Sequence, residues 1–276
     1  MKSYRDLRMV TKIVLPVATM LVCMLGILAW QIQTKSSAVI TSIAQRELKA
    51  IAGEQGNTVK SQFEIALDAA QAMANAVQSQ LESGVPMPRE QLILQLQGLE
   101  NSNDSLLSAG ALWEPNAYDG NDAAYVDKPG HDGKGRFIPY SSDGKLTSLA
   151  QYTGSDYYEQ PKARRKAFLT KAFVFPVNGK DTLMSTASAV VVIKDVFKGI
   201  ILVDLSLERI SGIVRDLKLY TSGWGAVVAQ DGAIVADRNM DLLNKNIFNL
   251  GWTSHADELA VSSSKCNTQS LGIGVF

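Results

Sequence analysis

Two stretches of this 276-residue chain decide the fold: KGIILVD at 198–204 and DYYEQPK at 156–162. The first is an apolar run that ends on an aspartate, and such a run is typical of a buried strand. Because side chains alternate along a strand, Ile200, Leu202 and Asp204 are predicted to share one face. The second stretch places two tyrosines and a carboxylate just before a predicted helix. We interpret the two stretches as the walls of one small pocket.

The aspartate at the end of the first stretch indicates the chemistry of that pocket. An unpaired buried carboxylate is costly, so Asp204 requires a partner, and a ligand ammonium would satisfy it. Aromatic rings attract cations, which favours an aromatic wall around such a ligand. The candidate contacts are Trp113, Tyr140, Asp156, Tyr157, Tyr158, Phe173 and Asp204. The residues alone leave two alternatives open: Asp204 caps the following helix, or the aromatic residues are plain core.

Composition and charge exclude several classes of function. The chain has 27 basic and 27 acidic residues, a net charge of zero and no dense basic patch, so no nucleic-acid partner is expected. Cys23 and Cys266 have no zinc-site spacing, and neither a disulfide, a metal nor a cofactor is expected. The aspartates at 119–127 lack the spacing of a calcium loop, which predicts a solvated loop. No catalytic constellation accompanies the two histidines, so the chain is not expected to be an enzyme.

An uncharged apolar run of 18 residues lies near the N-terminus, at 13–30. A helix of about 20 apolar residues crosses a bilayer. Four basic residues precede the run within 1–12, and only Lys35 follows closely. This asymmetry predicts a cytoplasmic N-terminus and an exported remainder. A cleaved signal peptide is the alternative, but the run is longer than a signal peptide requires and no small-residue cleavage site follows.

The rest of the pattern predicts an α+β fold. Apolar residues at spacings of three and four predict a long helix over 39–81, in which Gly53 and Gly56 permit a kink. Beyond residue 103 a period of two predicts antiparallel strands with one inserted helix, and Ser206 is a predicted N-cap. A new hairpin is predicted at 226–236. From 251 to 276 the sequence is polar and is predicted to be irregular.

Four motifs resemble methyl-accepting chemotaxis proteins with a periplasmic double Cache (PAS-like) sensory domain. They are WEPNAYDGND at 113–122, GHDGKGRFIPY at 130–140, GSDYY at 154–158 and GIILVD at 199–204, and the resemblance runs from residue 1 to about 250. It implies a cytoplasmic tail (1–12), a transmembrane helix (13–33), a long periplasmic helix (34–88), a membrane-distal ligand-binding module (89–221) and a partial membrane-proximal module (222–276).

The same resemblance implies a function and a location. It places ligand contacts at Tyr157, Tyr158, Phe173 and Asp204, whereas Trp113, Tyr140 and Asp156 follow from the residues alone. The expected protein is the sensory part of a bacterial chemoreceptor, anchored in the inner membrane and dimerised through its long helix. The expected ligand is a small amine-bearing or amino-acid-like solute. Ser155 stands where amino-acid-binding members carry an arginine, which counts against a simple α-amino acid.

The missing second transmembrane helix and cytoplasmic region lead us to expect a truncated receptor. Alternatives are the sensor domain of a histidine kinase or a diguanylate cyclase, or a membrane-anchored periplasmic enzyme.

Overall fold

The computed structural model describes residues 9–150, 152–217, 219–220, 223–229, 232–250, 260–264 and 271–275. The chain divides into two compact units, Met1–Ala50 and Ile51–Phe276. Helix α1, Met9–Glu82, continues from the first unit into the second and runs without interruption through Gly53 and Gly56.

The first unit contains a helical segment that is long and apolar enough to cross a membrane. Its most apolar 18-residue window has a mean hydropathy of 2.4, and none of that window is buried. Large apolar side chains such as Ile13, Val22 and Trp30 are more than half exposed. A helix that exposes such side chains to water would be unstable, so the composition fits a bilayer environment.

The part of α1 in the second unit has one buried stripe. Its buried residues recur every three or four positions, as expected for a helix that packs on one face; they are Ala52, Gly56, Val59, Phe63, Ala66, Ala70, Ala74 and Val77. Met73 is only half-buried, because the helical phase brings Ala74 inward instead.

An antiparallel sheet of seven strands holds most of the core. Its strands are β1 (Leu106–Trp113), β2 (Pro139–Ser142), β3 (Lys145–Ser148), β4 (Phe168–Leu169), β5 (Phe173–Val177), β6 (Lys180–Ile193) and β7 (Val196–Ser206). The spatial order is β3-β2-β1-β7-β6-β4, and β5 also pairs with β6. Helices α2 (Arg89–Glu100), α3 (Asp156–Arg164) and α4 (Leu207–Arg215) accompany the sheet. Strands β7 and β1 are therefore central.

Local sequence explains the connections between these strands. Three hairpins have two-residue turns with positive φ at both positions, at 143–144, 178–179 and 194–195. This is the type I′ turn that matches the twist of paired strands. The Oγ of Ser206 accepts a hydrogen bond from the Arg209 amide at 3.2 Å, which confirms the predicted N-cap of α4.

A second sheet follows α4. It consists of β8 (Gly225–Ala229), β9 (Ile234–Asp237), β10 (Ala260–Ser264) and β11 (Leu271–Val275), in the order β10-β11-β8-β9. The expectation that 251–276 is irregular is therefore wrong at β10 and β11. The sequence LGIGV of β11 alternates bulky and glycine residues with period two, and pairing with β8 outweighs the low strand propensity of glycine.

Candidate ligand-binding cavity

The candidate site is built on β7, at the centre of the larger sheet. Asp204 lies opposite Ser108 on β1 and opposite Thr186 on β6. These three residues therefore stand side by side across three neighbouring strands, and their side chains share one face. Ile200 and Leu202 precede Asp204 on that face. They belong to a cluster of buried residues that includes Tyr140, Tyr157 and Tyr158. The alternation predicted for this strand is confirmed.

Asp204 is bound by hydroxyl groups. Its carboxylate Oδ2 accepts hydrogen bonds from Ser108 Oγ at 2.5 Å and from Tyr140 Oη at 2.8 Å. Its Oδ1 accepts one from Thr186 Oγ1 at 2.5 Å. The residue is only 3% exposed, so these bonds replace water around the carboxylate. Asp204 does not cap α4, because Ser206 occupies that position.

A glycine allows Tyr140 to reach Asp204 from a more distant strand. Tyr140 on β2 lies opposite Gly110 on β1, which in turn lies opposite Leu202 on β7. A Cβ atom at Gly110 would stand 2.9 Å from the Pro139 carbonyl oxygen and 3.1 Å from Cδ2 of the Tyr140 ring. Because position 110 lacks a side chain, the ring can cross over β1 toward Asp204.

The electrostatics of Asp204 are those of a carboxylate without a counter-charge. Burial raises its pKa above the ordinary aspartate value, although the three hydroxyl bonds act in the opposite direction. Among the residues that the structure describes, no lysine, arginine or histidine forms an ion pair with it. Three neutral donors compensate a buried charge less well than a cation does. A nearby cation would therefore stabilise the ionised carboxylate further.

The Asp204 carboxylate faces a narrow cavity. The empty volume between the lining residues is about 200 Å³, including the part that is open to solvent. The lining residues are Tyr140, Leu149, Tyr157, Phe173, Phe175, Met184, Thr186, Leu202 and Asp204. The rings of Tyr157 and Phe173 stack with centroids 6.1 Å apart, and they form one aromatic wall. An apolar cavity of this kind with one charged group is typical of a small-molecule site.

Four of the seven predicted contacts line this cavity: Tyr140, Tyr157, Phe173 and Asp204. The other three lie elsewhere. Trp113 is fully buried at the end of β1 and packs against the ring of Tyr118 at 4.8 Å. Asp156 is exposed at the first turn of α3.

Tyr158 follows Tyr157 on α3, but adjacent helical residues point about 100° apart. Its hydroxyl therefore bonds to Glu114, outside the cavity.

Other residues that line the cavity or contact Asp204 were missed by the sequence analysis. Ser108 and Thr186 contact Asp204 through strand register, which pairs residues 96 and 18 positions away from it. Met184 and Phe175 come from the β5–β6 hairpin. The Asn178-Gly179 turn predicts this hairpin, and its two-residue loop fixes the register, so turn geometry was the one usable signal.

A polar cluster lies beside the cavity, on the other face of α3. Lys162 Nζ donates to Glu114 Oε1 at 2.5 Å, and the Tyr158 hydroxyl donates to the same oxygen. An Arg136 nitrogen lies 3.9 Å from Glu114 Oε2. Burial alone would raise the pKa of Glu114, but the bonds from Lys162 and Tyr158 and the nearby positive charges hold that pKa below its ordinary value.

The long loop after β1 is held by a buried arginine rather than by solvent. Arg89 is 1% exposed; its Nε donates to Asp119 at 2.9 Å and its Nη2 donates to Asp122 at 2.8 Å. Its guanidinium also lies 4.2 Å from the centre of the Tyr125 ring. The expectation of a solvated loop at 119–127 is therefore wrong for Asp119 and Asp122, because both carboxylates bind this buried cation.

Comparison with known proteins identifies the fold. No protein-family model and no curated protein matches the chain. The extracellular domain of the histidine kinase mmHK1S-Z3 matches with a TM-score of 0.72 and 25% identity, over 85% of this chain and 94% of that one.

Chemoreceptor domains match as well. The periplasmic sensory domain of the Campylobacter jejuni chemoreceptor Tlp1 has a TM-score of 0.69 at 15% identity, over 86% of this chain and 95% of that one. The ligand-binding domain of the Pseudomonas aeruginosa amino-acid chemoreceptor PctB, solved with L-Gln, has a TM-score of 0.52 at 15% identity, over 83% and 88%. The chain thus has the α+β fold of sensory domains, and these neighbours are sensory domains rather than enzymes.

Proposed function

We propose that this chain is the sensory part of a bacterial chemoreceptor and binds a small amine-bearing solute at Asp204, within a ligand-binding module at 89–221. The observation that carries the proposal is the buried Asp204 carboxylate, which has three hydroxyl donors and faces aromatic rings. An ammonium group would supply the missing positive charge, and Tyr157 and Phe173 would contact the rest of the cation.

The lining of the cavity favours amines over α-amino acids. None of the nine residues that line it is basic, so a ligand carboxylate would enter an apolar space without an ion-pair partner. The PctB domain was solved with L-Gln and with L-Arg, which supports a nitrogenous ligand for this fold. Here Ser155 is the N-cap residue of α3, at the place where the resemblance leads us to expect an arginine.

The location and assembly of the protein belong to the same proposal. Residues 13–33 anchor the chain in the inner membrane, and the domain that follows is periplasmic. The part of α1 that follows the anchor, from residue 34 to Glu82, contacts its counterpart in a homodimer, and residues 222–276 form a membrane-proximal module. Ligand binding shifts the population of conformers in the ligand-binding module, and α1 transmits the shift toward the membrane.

A histidine-kinase sensor is the second candidate. The observation that favours it is the mmHK1S-Z3 extracellular domain, which at 25% identity is more similar in sequence to this chain than the Tlp1 and PctB domains. The ligand chemistry proposed for Asp204 is the same for a chemoreceptor and for a histidine kinase, because it depends on the cavity and not on the type of signalling protein.

A thermal-shift screen on the full chain in detergent tests the ligand class. The panel pairs each small amine with the alcohol or hydroxy acid of the same skeleton. We expect stabilisation by amines, none by the matched alcohols, and loss of the amine response in Asp204→Asn. Stabilisation only by acids that lack an amine would exclude the proposal.

A further inference from the structure

The cavity is too narrow to hold an amine of more than a few atoms, so a ligand has to widen it. Around Asp204 the lining side chains of Leu202, Met184, Tyr140 and Tyr157 are all at most 6% exposed. The space that remains has room for about one water molecule. An amine with even a few carbon atoms therefore enters only after one of the walls has moved.

Helix α3 is a wall that is joined to the rest of the domain by exposed connections. It has nine residues, and both of its connections are exposed, at 153–154 before it and at 165–166 after it. Gly154 and Arg165 both have positive φ, at 83° and 54°. A short helix between exposed connections moves as a unit more easily than a central strand.

The two faces of α3 have different partners. Tyr157 points into the cavity and stacks on Phe173. Tyr158 and Lys162 lie on the other face, and both bond to the single carboxylate of Glu114. Glu114 follows the last residue of β1, so its position is fixed by a central strand of the sheet.

We propose that Glu114 is the latch that holds α3 closed over the cavity, and that ligands enter and leave when its bonds to Tyr158 and Lys162 break. This inference rests on the proposed ligand site. Glu114 is a positioning residue, since it does not line the cavity and acts through α3. The Glu114 and Lys162 side chains are 28% and 39% exposed, so water competes for this contact and makes it reversible.

Strand β1 connects Glu114 to the part of the sheet that holds the Asp204 carboxylate. Ser108, which bonds Asp204, precedes Glu114 by six positions along β1, a distance of about 20 Å along an extended chain. Movement of α3 away from Glu114 therefore leaves the bonds of Asp204 on the sheet intact. The cavity opens on one side while the carboxylate stays in place.

Oxidation of a cavity methionine by hydrogen peroxide measures the opening directly. Met184 lines the cavity and is 1% exposed, so peroxide reaches its sulfur only in open molecules. Met87 is also buried, at 6% exposure, but lies outside the cavity, so it reports opening elsewhere in the domain and global unfolding. Mass spectrometry on the full chain in detergent resolves the two sulfoxides.

The variants are Glu114→Gln and Lys162→Met, with Glu208→Gln as the matched control. Glu208 forms an exposed ion pair with Lys180 at 4.0 Å, so its substitution makes the same chemical change on the surface. We expect Met184 oxidation to rise about fivefold in either latch variant, with Met87 unchanged. The double variant should add little to either single one, because both remove the same contact.

The latch proposal is overturned if the oxidation rate of Met184 is unchanged in both latch variants, or if the oxidation rate of Met87 rises by the same factor. A second experiment, with a ligand present, distinguishes a failure of the latch from a failure of the proposed ligand site. Butylamine, used as the probe, should protect Met184 in the wild-type chain, and the latch variants should bind and release it faster with a smaller change in affinity. If no amine protects Met184, the ligand assignment fails while the peroxide rates without ligand still decide the latch.

Discussion

Asp204 and Glu114 are carboxylates whose surroundings shift their pKa in opposite directions. Burial raises the pKa of Asp204, so its ionised form destabilises the folded chain. The bonds and charges of Lys162 and Tyr158 lower the pKa of Glu114 against the effect of burial, so its ionised form stabilises the fold. Acidification should therefore relieve the strain at Asp204 and weaken the contact at Glu114.

Asp204→Asn should stabilise the ligand-free chain. Its melting temperature is expected to exceed that of the wild type at pH 7 by about 2–4 °C, which corresponds to ~1 kcal/mol. The difference should shrink as the pH falls through the raised pKa of folded Asp204 toward the ordinary aspartate value of 3.8, because the folded wild-type carboxyl becomes protonated first. It should reach its minimum below 3.8, where the unfolded carboxyl is protonated as well. Thermal melts across pH check this, with the exposed Asp68→Asn as control; a difference independent of pH would contradict it.

Gly110→Ala should disturb the site through one methyl group. The new Cβ would crowd the Pro139 carbonyl and the Tyr140 ring, so we expect a loss of about 1–3 kcal/mol in unfolding free energy and weaker amine binding. Gly98→Ala on α2 is the control, because nothing lies within 4 Å of its added Cβ and alanine favours a helix. Denaturant melts and amine titrations test both; equal effects of the two changes would refute the explanation.

Helices and strands differ in how far the sequence predicted them. The two-residue turns and the Ser206 cap have local signatures, so the hairpins and α4 could be placed from the sequence. Strand β11 was missed because its alternation uses glycine, whose contribution appears only when β8 pairs with it.

The candidate site, too, was predicted only where local sequence patterns decide the structure. Period two placed Asp204 on the inner face, but its partners Ser108 and Thr186 depend on register between distant segments. The phase of α3, which sends Tyr157 inward and Tyr158 outward, depends on where the helix packs. The pairing and packing of distant segments are tertiary properties that local patterns do not fix.

Ser206→Ala should destabilise the chain by about 1 kcal/mol through α4, because the Arg209 amide loses its cap. Urea unfolding measures this change. Ser79→Ala, on the exposed face of α1, should leave stability unchanged or slightly raised, since alanine is the better helix former. Equal destabilisation by both changes would show that the cap is not the cause.

Acid should open α3 through Glu114. Once the pH falls below the ordinary glutamate value of 4.5 and then through the lower pKa of Glu114, protonation removes the charge that binds Lys162. Met184 oxidation should then rise in the wild type but stay level in Glu114→Gln, with Met87 as the measure of global unfolding. The same acid response in both proteins would assign it to another group.

The chain as a whole combines an apolar helix of membrane-spanning length with a domain that has the fold of sensory domains. The apolar window lies in the first compact unit, whereas every residue that lines the cavity lies in the second, Ile51–Phe276. The ligand chemistry should therefore not depend on the membrane segment.

Residues 51–276, expressed alone, should bind the same amines with the same affinity as the full chain in detergent, to within about twofold. Calorimetric titration of both proteins measures this, and a cooperative melt confirms that the shorter one is folded. A folded 51–276 fragment that does not bind would show that the first unit contributes to the site.

The hydroxyl groups around Asp204 have an evolutionary consequence. Ser108, Tyr140 and Thr186 can each rotate to present a lone pair instead of a proton, so the same backbone suits an amide at position 204. Aspartate and asparagine codons differ by one base. A lineage could therefore exchange a cationic stimulus for a neutral one in a single mutational step, without rebuilding the sheet.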